Sequence, residues 1–455
     1  MIVSDTIAAV ATPHGTGGIS VIRVSGPDAF AVCDRIFRNP KGKTLEQAKS
    51  HTILYGHITD NGKNIDEVLV SVMRAPHTFT GEDTAEISCH GGITVTNAVL
   101  AAILTHGAVL ASPGEFTKRA FLNGRMDLSQ AEAVIDVINS PSALALDAAA
   151  HQLGGSLSRE IGALRSRLLD VTAQLDAAAD YPEEEIDELG EQQMAKLIAD
   201  ILASVRALIA SADRGTLIRD GVNTVLAGRP NVGKSSLLNA LADADRAIVT
   251  DIAGTTRDVI EERVLLGGVC LNIFDTAGLR ETDNPVESLG VAKTEEYLQK
   301  ADLILFLIDA QEGVTEDDLR IAARLDTKKT ILAVNKTDLA AAPELAGLDS
   351  RFPAVFLSAK QGSGLEQLAQ TVESMFRLGE ISADGSATIT SLRHKQALAA
   401  AEEHLSAALA AVGAVPADLI AIDVTDAISA LGEITGQTVS EEIVERIFSR
   451  FCLGK

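Results

Sequence analysis

The octapeptide GRPNVGKS at 228–235 follows the strand-like run VNTVLA and opens onto the helical pattern SSLLNAL. That strand–loop–helix context is what a phosphate-binding loop needs. Its glycines let successive backbone N–H groups turn toward phosphate oxygens, Lys234 adds a point charge at the β and γ phosphates, and the Ser235 hydroxyl can ligate Mg²⁺. Asn231, Val232, Gly233 and Ser236 complete the contact set. A nucleoside triphosphate is the expected ligand.

Two further motifs narrow the base. DTAG (Asp275, Thr276, Ala277, Gly278) follows LNIF, and NKTD (Asn335, Lys336, Thr337, Asp338) follows ILAV. Asp275 can hold Mg²⁺ through water, and Gly278 leaves its N–H free to approach the γ-phosphate. The segment TDIAGTTRD carries Thr250, Asp251, Ile252, Ala253, Gly254, Thr255 and Thr256, and a threonine hydroxyl there fits a switch loop that closes on the nucleotide. Asp338 can accept from the ring N–H and the exocyclic amine of guanine, a donor pair that adenine lacks, so a buried carboxylate there discriminates strongly. SAK (Ser358, Ala359, Lys360), after AVFL, fits the loop that closes over the base. Order and spacing together indicate a GTP-binding domain.

One departure from Ras-type switches concerns hydrolysis. Leu279 follows DTAG where a glutamine would orient the attacking water. Another polar group must serve, and RETDNPVES offers Glu281 and Glu287. Arg257 and Arg280 have equally good structural roles as exposed charges, so neither is marked as an arginine finger. Asn231, with backbone carbonyls from the switch segment around 250–255, suggests a monovalent cation beside the phosphates, and potassium would then supply the arginine's charge.

These residues need elements to hold them. Residues 1–118 alternate short β-rich runs with turns, an α+β pattern. From 119 to 212 the pattern turns helical: Ser129 with Glu132 forms a candidate capping box, and Leu157, Ile161, Leu164, Leu168 and Leu175 recur at helical spacing. Tyr181-Pro182 should break that helix, and the acidic run after it reads as a solvated helix start. Strand–helix alternation over 213–380 marks an α/β G domain of Ras-like type. A second helical segment occupies 381–455. The chain thus reads as multidomain α/β and α+β, with the G domain inserted between helices that pack as one bundle.

Composition sets limits. With 39 Lys and Arg against 63 Asp and Glu, the formal charge is −24, which opposes indiscriminate nucleic-acid binding. Any RNA must meet a local basic patch or a basic partner. The four cysteines, Cys33, Cys89, Cys270 and Cys452, lack metal-ligand spacing and read as reduced thiols. The apolar run at 303–308 is too short to cross a bilayer, no signal segment is evident, and a cytoplasmic protein is expected.

Beyond the nucleotide motifs, the segments DTIAAVATPHGTGGISVIRVSG, FTGED, CHGG, PGEFTKRAFLNGRMDLSQAEAVIDVI and the terminal FCLGK make the whole chain resemble the bacterial and organellar MnmE (TrmE) family of tRNA-modification GTPases. The family lies within the TrmE-Era-EngA-YihA-Septin-like superfamily. The resemblance implies a potassium-activated GTPase that forms a homodimer. It also implies a FAD-dependent partner, MnmG (GidA), in a heterotetramer or larger complex, with tRNA as substrate and no membrane. Together the two proteins would place an aminomethyl or carboxymethylaminomethyl group on the wobble uridine. By the same resemblance Asn231, Thr250, Ile252 and Thr255 hold K⁺, Ser235 and Thr256 hold Mg²⁺, and Glu287 organises the hydrolytic water. The N-terminal domain would be folate-binding-like and would hold a tetrahydrofolate derivative through Arg23, Glu82, Arg125 and Lys455, with Arg125 where many relatives have lysine. Taken alone, Arg23 between Ile22 and Val24 reads as an exposed cation on a strand's solvent face. Cys452 reads either as a buried structural cysteine or as a nucleophile near the one-carbon carrier, while Gly454 and Lys455 argue against prenylation. The alternative function is a ribosome-assembly GTPase. Such proteins carry a second G domain or an RNA-binding appendage, whereas this chain has a single phosphate loop. A G-domain scaffold that dimerises without acting on RNA is a third class.

Overall fold

A computed structural model describes residues 5–180, 188–244, 262–274, 297–340, 343–376, 388–452 and 454–455. The chain forms two compact units. One comprises Met1–Ile135, Leu153–Asp170 and Thr425–Lys455, and the other Asp136–Gln152 and Val171–Val424.

The first unit is built on a seven-stranded sheet made of β1 (Ile7–Val10), β2 (Ile19–Ser25), β3 (Phe37–Arg38), β4 (Thr52–Asp60), β5 (Lys63–Met73), β6 (Thr84–His90) and β7 (Val109–Leu110), in the order β3-β4-β5-β6-β2-β1-β7. Strand alternation decides which side chains do what. Ile22 and Val24 of β2 and Ala85 and Ile87 of β6 point into one core, shared with Val99 and Ile103 of the helix Ile93–Thr105. The residues between them, Arg23 and Glu86, pair in register and therefore share the opposite face. That face meets a smaller cluster of Ile7, Ala9, Ala111 and Phe116, with Phe79 packed against it.

Helices complete this unit. Leu128, Ala131 and Val134 of the helix Leu128–Asn139 bury against Val444 and Phe448 of the helix Glu441–Phe448. The capping box at its start is not the expected Ser129/Glu132 pair. Asp127 Oδ1 accepts the Gln130 N–H at 3.0 Å, Gln130 Oε1 accepts the Asp127 N–H at 3.1 Å, and Ser129 donates to Asp127. The helix begins two residues too early for Ser129 to cap it; aspartate is as good a cap as serine, and glutamine answers it as well as glutamate. Leu157, Ile161, Leu164, Leu168 and Leu175 are all buried, as their spacing predicts. Arg165 reaches across to the Ile428 carbonyl, joining a helix before the G domain to one after it. Tyr181-Pro182 and the acidic run through residue 187 lie outside the described residues, and the run's last two residues open the helix Glu188–Asp220.

The second unit contains a six-stranded sheet of β8 (Val222–Ala227), β9 (Glu262–Leu266), β10 (Val269–Phe274), β11 (Leu303–Asp309), β12 (Thr330–Asn335) and β13 (Ala354–Phe356), in the order β13-β12-β11-β8-β10-β9. Every pairing is parallel except β9 with β10. β11 and β12 are buried along their whole length, as central strands of a parallel sheet covered on both faces must be. That strand order and direction is the Ras-like G-domain fold. Its ligand crevice lies at the carboxyl ends of the strands where connections leave on opposite sides, which is the end of β8 between β10 and β11. The helices Glu188–Asp220 and Leu392–Ala411, one on each side of the G domain in sequence, pack together and are tied by Arg206–Glu402 (2.7 Å) and Lys395–Asp213 (2.6 Å).

Asp127→Ala should cost about 1 kcal/mol in the urea transition that reports the first unit, the usual value of an N-cap. A variant as stable as the parent would mean that Asp127 does not cap this helix.

Candidate functional site

The loop after β8 enters the helix Lys234–Ala244 at Lys234. Within it Asn231 and Gly233 both have left-handed backbone, with φ of 65° and 101°. A Cβ at Gly233 would collide with the Asn335 amide, so glycine is required there by packing as well as by the turn. Lys234 Nζ donates to the carbonyls of Gly228 and Arg229, which holds the ammonium at the loop. Ser235 and Ser236 are exposed on the first turn.

Side chains from the ends of β12 and β11 fix the loop from behind. Asn335, 2% exposed, donates from Nδ2 to the Val232 carbonyl at 2.9 Å and accepts the Ala359 N–H on Oδ1 at 3.0 Å. Lys336 Nζ donates to the Asn231 carbonyl at 2.9 Å and to Asp309 Oδ2 at 2.6 Å. Ser358 Oγ donates to Asp338 Oδ1 at 2.6 Å, which orients that carboxylate, and Lys360 is exposed beside it. Asn231, Val232, Gly233, Lys234, Asn335, Lys336, Asp338, Ser358 and Ala359 therefore meet in one place. Thr250, Asp251, Ile252, Ala253, Gly254, Thr255, Thr256, Asp275, Thr276, Ala277, Gly278, Leu279, Glu281 and Glu287, with Arg257 and Arg280, lie outside the described residues.

In the first unit a second polar cluster surrounds the loop 78–82. Glu82 accepts from Ser25 Oγ at 2.8 Å and from Arg119 Nη1 at 3.2 Å, and Arg119 also pairs with Glu115 at 2.9 Å. Arg119 is 2% exposed, so both carboxylates compensate a buried charge. Arg125 donates to the Thr78 carbonyl at 3.0 Å. Arg23 is not the exposed cation its strand position suggests. Its side chain is 14% exposed, forks onto Glu86 at 2.8 Å, and lies over the rings of Phe79 and Phe116. The sheet's second face is covered by the helix Glu115–Leu122 rather than by water.

The C-terminal segment reaches the same face. The Gly114 N–H donates to the Cys452 carbonyl at 3.4 Å, and Gly454, with φ of 88°, lies so close to the Val10 carbonyl that a Cβ would collide with it. Lys455 is half-buried, and its ammonium is held below the ordinary lysine value, first by that burial and then by Arg23, with Glu86 and Cys452 acting in the other direction. Cys452 is exposed, so the buried structural reading fails. Burial pushes the Cys33 thiol up to about 12, aided by the neighbouring Asp34, and raises Cys89 and Cys270 as well.

Sequence reasoning passed over Glu86, Arg119 and Asp309. Glu86 had a signal: it stands out of phase between Ala85 and Ile87, facing the position that Arg23 occupies across the strand pair. Arg119 had a partial one, its i,i+4 spacing from Glu115, whereas its pairing with Glu82, like that of Asp309 with Lys336, joins residues far apart in sequence.

Asp309 supplies a pH test. Its burial alone would raise the carboxyl, but hydrogen bonds from Lys336 and the Gln311 N–H, with the charges of Lys336 and Arg229, hold it below the ordinary aspartate value. A depressed folded value means the stabilisation is complete above the unfolded pKa of about 3.9 and is lost as pH falls through the folded value. Asp309→Asn should therefore melt a few degrees below the parent at neutral pH, with the gap constant above about pH 5 and closing in stronger acid. A gap that does not change with pH would contradict the paired carboxylate.

Comparison with known proteins gives these sites a context. The family model described as "GTP-binding protein TrmE N-terminus" matches residues 6–125, and "MnmE helical domain" matches 128–452. The tRNA modification GTPase MnmE of Acetivibrio thermocellus is 47% identical over 457 residues, covering 99% of each chain. The protein of that name from Moorella thermoacetica is 48% identical over 461 residues, with 99% of each chain covered. The one from Bacillus velezensis is 45% identical, covering 99% of this chain and 100% of the relative. Among solved structures, the G domain of the T. maritima FeoB iron transporter aligns with 34% of this chain and 98% of that one at 29% identity, with a TM-score of 0.25. Full-length identity at this level, with N-terminal and helical models matched in order around a G-domain sheet, places the chain in the family of tRNA modification GTPases called MnmE.

Proposed function

We propose that this protein is a potassium-activated GTP hydrolase. With the FAD-dependent protein MnmG (GidA), it would install an aminomethyl or carboxymethylaminomethyl group at the 5-position of the wobble uridine in certain tRNAs, using a tetrahydrofolate one-carbon donor. The observation that carries this reading is the presence on one chain of two polar sites, a phosphate loop laced to a guanine-reading loop and a cationic cluster where Lys455 approaches Arg23.

In the G domain, Lys234 supplies positive charge to the β and γ phosphates, and Asp338, oriented by Ser358, accepts the two guanine donors. Ser235, with Thr256, would hold Mg²⁺. Asn231 would offer its amide oxygen to K⁺, with the main chain of Thr250, Ile252 and Thr255. Its left-handed backbone and its carbonyl's tether to Lys336 fit a ligand held in one orientation. Potassium there supplies the charge that an arginine finger brings elsewhere. Glu287 orients the water that attacks the γ-phosphate.

In the first unit, Glu82, paired with Arg119 at 3.2 Å, suits the donor edge of a pterin, while Arg23, Arg125 and Lys455 suit the folate carboxylates. The aromatic faces of Phe79 and Phe116 beside Arg23 fit a planar ligand. When bound, tetrahydrofolate supplies the one-carbon unit. Cys452, exposed and within electrostatic reach of Lys455, serves as a candidate nucleophile in that chemistry. The protein works as a cytoplasmic homodimer. Among the described residues no helix is long and apolar enough to cross a membrane, and the acidic surface leaves tRNA to a local basic patch or to the partner.

A strain lacking the gene, complemented with the parent chain, should regain modified wobble uridine. A chain ending at Phe451, or Lys455→Ala, should not regain it. Both variants should bind a reduced folate about ten- to a hundredfold more weakly, the loss expected for one charged hydrogen-bond partner, and keep a GTPase that runs faster in potassium than in sodium. Unmodified tRNA with the parent chain would overturn the function. Equal folate affinities would remove the tail from the pocket, and equal rates in the two salts would remove potassium.

A further inference from the structure

The phosphate loop carries a second cation, Arg229, for which the nucleotide reading has no use. Its side chain is tied to two carboxylates. Nε donates to Asp318 Oδ1 at 2.9 Å, Nη1 lies 2.9 Å from Glu312 Oε2, and Nη2 is buried with no acceptor among the described residues. The two carboxylates therefore fix the plane of the guanidinium.

The anchor is rigid. Asp318 is fully buried, and its other oxygen accepts the Thr315 N–H at 3.0 Å and hydroxyl at 2.7 Å, closing a capping box on the helix Glu316–Ala322. A buried carboxylate that loses its cation is strongly penalised, so Arg229 and Asp318 each hold the other in place. Arg229 is also drawn further into its charged form, mainly by the Asp318 hydrogen bond. This tether acts at position 229, whereas Asn335 and Lys336 act at 232 and 231. A free guanidinium in this loop could instead swing onto the phosphates and pull the first turn out of shape.

We infer that Arg229 is a positioning residue: held outward by Asp318 and Glu312, it sets the first turn of the phosphate loop in the shape that receives a nucleoside di- or triphosphate, without touching the phosphates. The inference rests on the nucleotide site and needs nothing proposed for potassium or folate.

The test uses the full chain with Arg229→Gln, Asp318→Asn and the double variant, titrated with a fluorescent GDP and assayed for steady-state GTP turnover. Asp318→Asn keeps an oxygen for Thr315, so the helix stays capped. Each single variant should weaken GDP binding and raise KM about tenfold with kcat within about twofold, the signature of lost ground-state binding. The double variant should be no worse than the poorer single one, because both remove one interaction, and Arg229→Lys should recover part of the loss. Arg229→Gln that binds like the parent would overturn the inference. So would a loss confined to kcat, which would make Arg229 a phosphate contact, or effects that multiply in the double variant. Should Asp318→Asn fail to fold, Glu312→Gln takes its place, with a loss of about threefold expected and no loss counting against the inference. A parent chain that binds no guanine nucleotide would overturn the site itself, a result distinct from any of these.

Discussion

The nucleotide site depends on one buried amide. Asn335 uses its donor on the carbonyl of Val232 and its acceptor on the N–H of Ala359, so the loops after β8, β12 and β13 share a single side chain. A buried amide with neither partner would be expensive, as would the backbone groups it leaves behind. The constraint reaches further, since the same amide occupies the space that a Cβ on Gly233 would need. Phosphate recognition and base recognition are thus one packed object before any nucleotide arrives.

The rest of the G domain follows from that object. Strands β8, β11 and β12 are parallel and buried on both faces, so their loops emerge together at one edge, and Asp309 at the end of β11 can face Lys336 at the end of β12. The first unit solves a similar problem with charge instead of an amide. Its sheet turns Arg23 and Glu86 toward the helix Glu115–Leu122, which brings Arg119 to Glu82, and every buried cation there has a carboxylate beside it. In a chain of net charge −24, carboxylates are at hand to compensate each of these arginines.

Much of this was legible in the sequence because short-range rules govern it. The order of GRPNVGKS, NKTD and SAK gave the loops, strand alternation gave the two sheets, and leucine spacing gave the buried helix face. Legibility failed where a side chain's surroundings depend on what folds over it. Arg23 looks exposed on a strand until Phe116 is known to cover that face, and Cys452 could not be placed inside or outside without the docking of Gly454 on Val10. The cap at Asp127 was a different failure: two adjacent residue sets satisfied the same pattern, and only the helix start distinguishes them. Arg229 was read as part of a motif, and its partners at Glu312 and Asp318 carry no local mark.

The most direct test of the shared amide is hydrogen exchange at the phosphate-loop amides 230–236 in nucleotide-free protein, comparing the parent with Asn335→Ala. Loss of a buried hydrogen-bonding side chain worth about 1–3 kcal/mol should speed exchange there roughly ten- to a hundredfold, although position 335 belongs to the base-reading motif. Unchanged exchange in the phosphate loop, alongside weakened GDP binding, would contradict the account by showing that Asn335 serves the base alone.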